Sequence, residues 1–277
     1  MDHPACPGPD PHPHAPRRVV VPPGSVDTHA HVVGHGFVEN RSFTPPPATA
    51  ADYTAMLDAT AMTYGVLVRV SVHGTDNTLL LDTLRAHPDR LKGVAVVDPG
   101  ISDHEQAELH DAGVTGLRIN TLTSGGVGFG ALDRLEAICA EHGWHLQLFA
   151  DPAELDPARL AKLRVPYVLD HLGMPGTDNR VVRNLVEDGA WVKLSGANRL
   201  AEPPYTETVP FARELVTAAP GRCVYGSDWP HVGCWGPMPN DGDLVDLLAD
   251  WVPDPATRDA VLGANARRLY GFPDPIR

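Results

Sequence analysis

The sequence predicts an α/β fold, a single (β/α)8 TIM barrel. Three observations predict it. From residue 25 onward, short β-branched runs alternate with helical segments, as repeated βα units on a parallel sheet require. The runs number eight, and eight right-handed βα crossovers close into a barrel more naturally than they form an open sheet. A length of 277 residues suits such a barrel as one domain.

In chain order, the strands are expected over 25–31, 66–71, 92–98, 114–120, 145–150, 167–172, 191–195 and 223–228. The helices between and after them are expected over 52–64, 76–87, 102–112, 129–143, 154–164, 179–188, 205–218 and 256–269. The third helix is the best punctuated. "SDHEQAELHDAG" begins at Ser102, offers Glu105 three residues on and stops at Gly113, combining a capping box with a C-terminal glycine. Residues 25–277 thus form the barrel. Residues 1–24 hold eight prolines and three histidines, a composition that favours extended, solvated backbone, and they are expected to be a flexible tail.

Composition excludes several function classes. With 43% hydrophobic and 21% charged residues the chain can build a large core. A net charge of −13 without a Lys/Arg run longer than two residues argues against nucleic acid or an acidic membrane surface as partner, since both need a clustered basic face. A small anion is still compatible, because a few arginines in a cleft act locally. Cys6, Cys139, Cys223 and Cys234 are scattered and are expected to be reduced thiols in a cytoplasmic protein. No signal peptide or membrane-length apolar stretch occurs.

In such barrels the chemistry sits at the C-terminal ends of the strands. The first strand ends "DTHAH". Asp27, His29 and His31 share one parity there, so the two imidazoles face the same side of the pleat. The sixth strand brings His171 in "VLDHLG", and the eighth brings Asp228 in "VYGSDWPH", with His231 in the following loop. His29, His31, His171 and Asp228 suit two chemistries. They form a plausible first shell for one divalent ion such as Zn²⁺. They equally form a metal-free hydrolytic site, with Asp228 deprotonating water and the histidines bonding a carbonyl and its oxyanion.

The segments "VDTHAHVVG", "SVHGTDN", "LKGVAVVDPGISDHEQAELHDAGVTGLRIN", "VLDHLGMP", "WVKLSGANRL" and "VYGSDWPH" occur in that order. Together they resemble the amidohydrolase superfamily, in particular its branch containing 2-pyrone-4,6-dicarboxylate lactonase. The resemblance implies a (β/α)8 barrel that hydrolyses a lactone or related carbonyl compound, often in the breakdown of aromatic acids. It implies that His29, His31 and His171 polarise the carbonyl, that Asp228 activates water, and that no metal cofactor is required, although many relatives bind a metal through the same positions. The two-metal relatives bridge their ions with a modified lysine at strand 4 and add a histidine at strand 5. Here those strands end "LRIN" and "HLQLFA", so a two-metal site is not expected.

Candidate substrate contacts follow. Arg118 and Asn120 share a parity facing the barrel mouth, where a guanidinium can hold a carboxylate bidentately. An ion pair with a neighbouring strand is the alternative use of Arg118. Arg199, in the loop after strand 7, is a second cation. "SVHGTDN" offers Ser71, His73, Thr75 and Asn77; Ser71 shares an inward parity with Leu67 and Arg69, and Asn77 is also placed to cap the next helix. The loop after strand 4, "TLTSGGVGFG", and the end of strand 5 supply neither arginine nor tyrosine, so one substrate carboxylate is better provided for than two. The expected partner is a small anionic lactone. A metal-dependent decarboxylase of an aromatic or muconate-type acid is the alternative on the same barrel.

Overall fold

Eight parallel strands pair in chain order: β1 (Val26–Ala30), β2 (Tyr64–Val68), β3 (Leu91–Ala95), β4 (Val114–Asn120), β5 (His145–Phe149), β6 (Tyr167–Leu169), β7 (Trp191–Leu194) and β8 (Cys223–Tyr225). This computed structural model describes residues 3–176 and 179–275; the outermost residues of the expected tail (1–2) and barrel (276–277) lie outside the described residues. The barrel closes just beyond β8, where the amide of Asp228 donates to the His29 carbonyl (2.8 Å) and that of His31 to the Trp229 carbonyl (2.8 Å). The closing seam therefore runs through the candidate site.

Alternation along the strands separates two environments. Val26, Val66, Val68, Val94, Val168 and Val224 cluster with Tyr270 and Phe272, filling the barrel floor. Leu67, Leu117, Ile119, Leu148 and Val192 pack with the helices outside. Two parity expectations are corrected. The β1–β2 register shifts between Asp27 and Ala30. Asp27 consequently turns outward, where it accepts from the Tyr53 hydroxyl (3.0 Å), while His29 and His31 face in. On β2 the inward residues are Val66 and Val68, so Leu67 and Arg69 lie on the opposite face from that expected. Ser71 reaches the mouth because the chain coils into a 3-10 turn at Ser71–His73.

The helices are α1 (Ala50–Ala59), α2 (Thr78–Ala86), α3 (Asp103–Asp111), α4 (Leu132–His142), α5 (Pro157–Leu160), α6 (Arg180–Glu187), α7 (Ala197–Leu200), α8 (Val209–Ala218), α9 (Asp241–Trp251), α10 (Pro255–Asp259) and α11 (Asn265–Tyr270). A π turn at Ala260–Ala264 joins the last two. The capping box expected at Ser102 and Glu105 is present in both directions. The helix expected over 154–164 shrinks to α5 and a preceding 3-10 turn. α9 was not expected, although Asn240 caps it and Leu244, Leu248 and Trp251 form its buried stripe. No helix among the described residues is long and apolar enough to cross a membrane.

The segment expected to be a flexible tail is extended, as its prolines dictate, but it is anchored. Asp246 of α9 accepts the backbone amides of Arg17, Arg18 and Val19 at 2.7–3.0 Å. Arg18 makes a two-pronged ion pair with Asp250 (2.6 and 2.8 Å). Nearer the start, Cys6 pairs with Thr44 (3.1 Å), and Trp235 donates to the Ala5 carbonyl (3.0 Å). The physical reason is that these otherwise unpaired amides find a carboxylate acceptor on α9, a helix the sequence reading did not foresee. Asp246→Ala leaves three amides without it and is expected to cost about 2–3 kcal/mol. Limited proteolysis of the variant will then cut within residues 3–19, and resistance equal to wild type would refute the anchor.

Candidate active site

Four side chains converge where the barrel closes. Asp228 Oδ1 lies 3.9 Å from His29 Nε2, 3.8 Å from His31 Nε2 and 3.7 Å from His171 Nε2. All four residues are at most 2% exposed, and among the described residues neither Asp228 Oδ1 nor His29 Nε2 has a hydrogen-bond partner. The four expected residues are thus brought together around a point where a reacting atom can sit. Two glycines make this possible. A Cβ on Gly226 would stand 2.7 Å from the His29 Cβ, and one on Gly196 would stand 2.7 Å from the His171 Cβ. His171 and Asp228 themselves adopt left-handed φ angles of 50° and 68°, a backbone state that costs about 1–3 kcal/mol and is concentrated at functional sites.

Each group is oriented from behind. The Arg199 guanidinium donates from Nε to Asp228 Oδ2 (2.6 Å) and from its NH2 nitrogen to the Val232 carbonyl (3.0 Å). This leaves Oδ1 as the oxygen offered to the site. Burial would push the Asp228 carboxyl up, but Arg199 and the facing His171 and His29 overcome it and hold the group well below the usual carboxylate range. His31 Nδ1 lies 2.7 Å from the Val68 carbonyl. That oxygen can only accept, so His31 donates from Nδ1; burial, with Arg118 nearby, depresses its pKa to about 3. The neutral ring therefore presents a bare Nε2, and His31 is an acceptor, not the donor expected from the sequence. His171 Nδ1 sits 2.9 Å from the Ser195 hydroxyl, which can donate to it and leave the proton on Nε2.

Below the histidines lies a buried polar layer on the inner face of β4 to β7. Asp170 Oδ2 accepts from Arg118 Nε and NH2 (3.2 and 3.0 Å) and from Gln147 Nε2 (3.0 Å). Asp170 Oδ1 lies 3.3 Å from His29 Nδ1 and 3.5 Å from Lys193 Nζ. Lys193 Nζ is 3.2 Å from His29 Nδ1. Burial depresses Lys193 to about 8, with Asp170 opposing. With the histidines neutral, Arg118, Lys193 and Arg199 outnumber Asp170 and Asp228. The site carries a surplus positive charge in an acidic protein.

The other expected contacts are dispersed around the barrel mouth and beyond it. Asn120 and Ser71 meet through Thr123: Asn120 Nδ2 donates to Thr123 Oγ1 (2.6 Å), which lies 2.8 Å from Ser71 Oγ. His73 is buried beside Phe37 with Nε2 unpaired, and the neighbouring Arg69 is also buried with Nε and NH1 unpaired. Thr75 and Asn77 line a surface cleft with Asp76, Asp98 and Glu105. Asn77 does not cap α2 with its side chain but donates to the Val96 carbonyl (2.8 Å). The His231 side chain pairs with Asp241 (3.2 Å), while its backbone amide donates to the Asp228 carbonyl (2.8 Å). Arg118 takes the ion-pair alternative, with Asp170.

Could the cluster hold a metal? His29 Nε2, His171 Nε2 and Asp228 Oδ1 lie within 4.8 Å of one another, and three imidazoles with a carboxylate form a zinc-type donor set. The spacing fits, but the hydrogen bonding at His29 does not. A ligating Nε2 needs its proton on Nδ1 and an acceptor there; Asp170 Oδ1 is 3.3 Å from Nδ1 but makes no hydrogen bond to it among the described residues, and the Lys193 amine bonds it at 3.2 Å. The sequence reading missed Lys193, Asp170, Gln147 and Ser195. A lysine inside the apolar run "WVKL" and an aspartate before His171 were the available signals.

Several known proteins are similar to this chain over most of its length. The amidohydrolase family profile matches residues 26–272. The 4-sulfomuconolactone hydrolase of Hydrogenophaga intermedia is 36% identical over 97% of this chain and 95% of its own. The 2-pyrone-4,6-dicarboxylate hydrolase of Comamonas testosteroni is 33% identical over 92% of both. Among solved structures, an Acinetobacter baumannii protein described as a probable 2-pyrone-4,6-dicarboxylic acid hydrolase, with citric acid bound, superposes with a TM-score of 0.80 at 27% identity. That match covers 90% of this chain and 100% of that one.

Five buried imidazoles set an acid limit on stability. Burial is the largest cause in each: His31 and His145 fall to about 3, His73 and His171 to about 4, and His29 well below its ordinary value. The unfolded chain protonates them near pH 6.5, so unfolding takes up protons and stability falls as pH drops from about 7 to about 5. Asp27, pushed up to about 6 by burial, offsets this by a single proton. Thermal melts will show Tm decreasing over that interval while imidazole ¹⁵N shifts report the five rings neutral. A site histidine titrating near its ordinary value would refute the neutral cluster.

Proposed function

The chain belongs to the amidohydrolase family, and from that premise we propose that it is a hydrolase opening the ring ester of an anionic lactone without a metal ion. The observation that carries the reading is the surplus positive charge around a buried Asp228 whose Oδ1 is unpaired. An anionic substrate supplies the missing charge. The relatives named as hydrolases of a sulfomuconolactone and of a pyrone dicarboxylate, and the neighbour that holds citric acid, support an acidic lactone of this kind.

The proposed chemistry divides the histidines. His31 Nε2 and Asp228 Oδ1, 3.8 Å apart and both acceptors, take the two hydrogens of one water and leave its lone pair for the lactone carbonyl carbon. Asp228 takes a proton as the new C–O bond forms. His29 and His171 donate Nε2–H bonds to the oxyanion of the tetrahedral intermediate. Protonated Asp228 then returns the proton to the leaving enolate or alkoxide oxygen as the ring C–O bond breaks. Arg199 links binding to basicity. It is 19% exposed and bonded to Asp228, so a substrate anion drawn to the same guanidinium weakens its hold on the base and raises the carboxylate's affinity for a proton.

A panel of pyrone carboxylates, sulfonated or carboxylated muconolactones and their neutral analogues tests the reading, assayed with and without chelator. The anionic members will be hydrolysed at unchanged rates in chelator, and Asp228→Asn will lose about a hundredfold or more. Near-normal turnover by that variant would overturn the assignment of the base. A requirement for one equivalent of Zn²⁺ together with release of CO₂ would replace the reading with the metal-dependent decarboxylase.

A further inference from the structure

The polar layer beneath the site is a chain of hydrogen bonds whose directions can be followed from one end. Arg118 has only donors, so Asp170 Oδ2 accepts from it (3.2 and 3.0 Å). The same oxygen accepts from Gln147 Nε2 (3.0 Å), which fixes the amide and turns its Oε1 toward Lys193. Lys193 Nζ donates to that Oε1 (2.8 Å) and to the Thr28 carbonyl (2.8 Å), neither of which can donate in return. Its third N–H is left for His29 Nδ1, 3.2 Å away. Asp170 Oδ1 is equally near that nitrogen, at 3.3 Å, yet makes no hydrogen bond. Asp170 instead faces Nζ at 3.5 Å as the counter-charge of the ammonium.

A neutral imidazole has one proton. If Nδ1 accepts from Lys193, the proton is on Nε2, and His29 meets the reacting atom as a donor. If Nδ1 instead donated to Asp170, Nε2 would carry a lone pair, the arrangement of carboxylate, histidine and metal found in metal centres. The two neighbours of Nδ1 therefore favour opposite tautomers, and the amine is the one that makes the bond.

We propose that Lys193 is a positioning residue that selects the Nε2–H tautomer of His29, making that ring a hydrogen-bond donor and withholding it from metal ligation. The proposal gives the lactone reading its oxyanion donor and rests on it for the use to which the donor is put. The tautomer can be measured without substrate.

The experiment compares wild type with Lys193→Met, which removes the donor at similar size and leaves Asp170 as the polar neighbour of Nδ1. Long-range ¹H–¹⁵N spectra of histidine-labelled protein, with the His29 signals assigned through His29→Gln, are expected to show Nε2–H in wild type and Nδ1–H in the variant. Titration with Co²⁺ alone, followed by its visible bands, is expected to show about tenfold or greater tightening in the variant. An Nδ1–H tautomer in wild type would overturn the proposal outright, even in an active lactonase. So would a folded variant that keeps Nε2–H or binds Co²⁺ no more tightly. If Lys193→Met does not fold, the wild-type spectrum alone decides. Absence of lactone hydrolysis with the expected spectra would overturn the functional reading and leave the tautomer assignment intact.

Discussion

Asp170 is a carboxylate with no exposure, placed at the end of β6 between the Arg118 guanidinium and the Lys193 ammonium. Breaking such a buried pair by removing one partner typically costs about 3–5 kcal/mol, because the remaining charge is stranded in a poor solvent. That requirement ties four strands into one inner layer: β4 supplies Arg118, β5 Gln147, β6 leads into Asp170, and β7 supplies Lys193. β1 joins through the Thr28 carbonyl and His29. The geometry of the histidine cluster is therefore inherited from a charge balance one layer below it. The apolar floor around Tyr270 and the helix-facing leucines hold the barrel together, but they do not determine which way a ring nitrogen faces.

Much of this was legible in the sequence, for reasons of period and punctuation. Eight short apolar runs separated by helical segments give the strand order directly, and β4 matches its expected span of 114–120 residue for residue. His29, His31, His171 and Asp228 stand out as candidates because strand ends are where such a barrel does chemistry, and the fold brings the three imidazoles within 3.9 Å of Asp228 Oδ1. What escaped depended on tertiary facts. The shift at Asp27 reverses a parity that a regular strand would keep. Lys193 and Asp170 look like isolated irregularities until the strands are laid side by side. The roles of the imidazoles depend on what stands behind each ring, and the Val68 carbonyl behind His31 belongs to another strand. α9 carries a cap and an apolar stripe in the sequence, but it lies beyond the eighth strand and outside the repeating βα pattern.

α9 and the N-terminal segment depend on one another. Asp246 and Asp250 on α9 accept from residues 17–19, while Asn240, just before the helix, donates to the His12 carbonyl and accepts from the His14 amide. Without the helix, a proline-rich segment has nothing to bind and is reasonably read as solvated. With it, the same segment becomes a strap from the start of the chain to the region that follows β8. The loop carrying Asp228 is thus bordered by the first residues of the chain as well as by the last helices.

The strict separation of the barrel's two faces has a consequence for how such a protein can diversify. Arg118, Gln147, Asp170, Lys193 and His29 share one hydrogen-bonded circuit, so a change at one of them disturbs the partners of the others. The outward leucines and isoleucine answer to volume. Between these lie the connections above the mouth, such as the glycine-rich stretch after β4, where Thr123 reaches Ser71 and Ser124 reaches Ser42. Those segments touch the entrance without belonging to the circuit. Substitutions in these few short loops reshape the entrance without touching the hydrogen bonds beneath it.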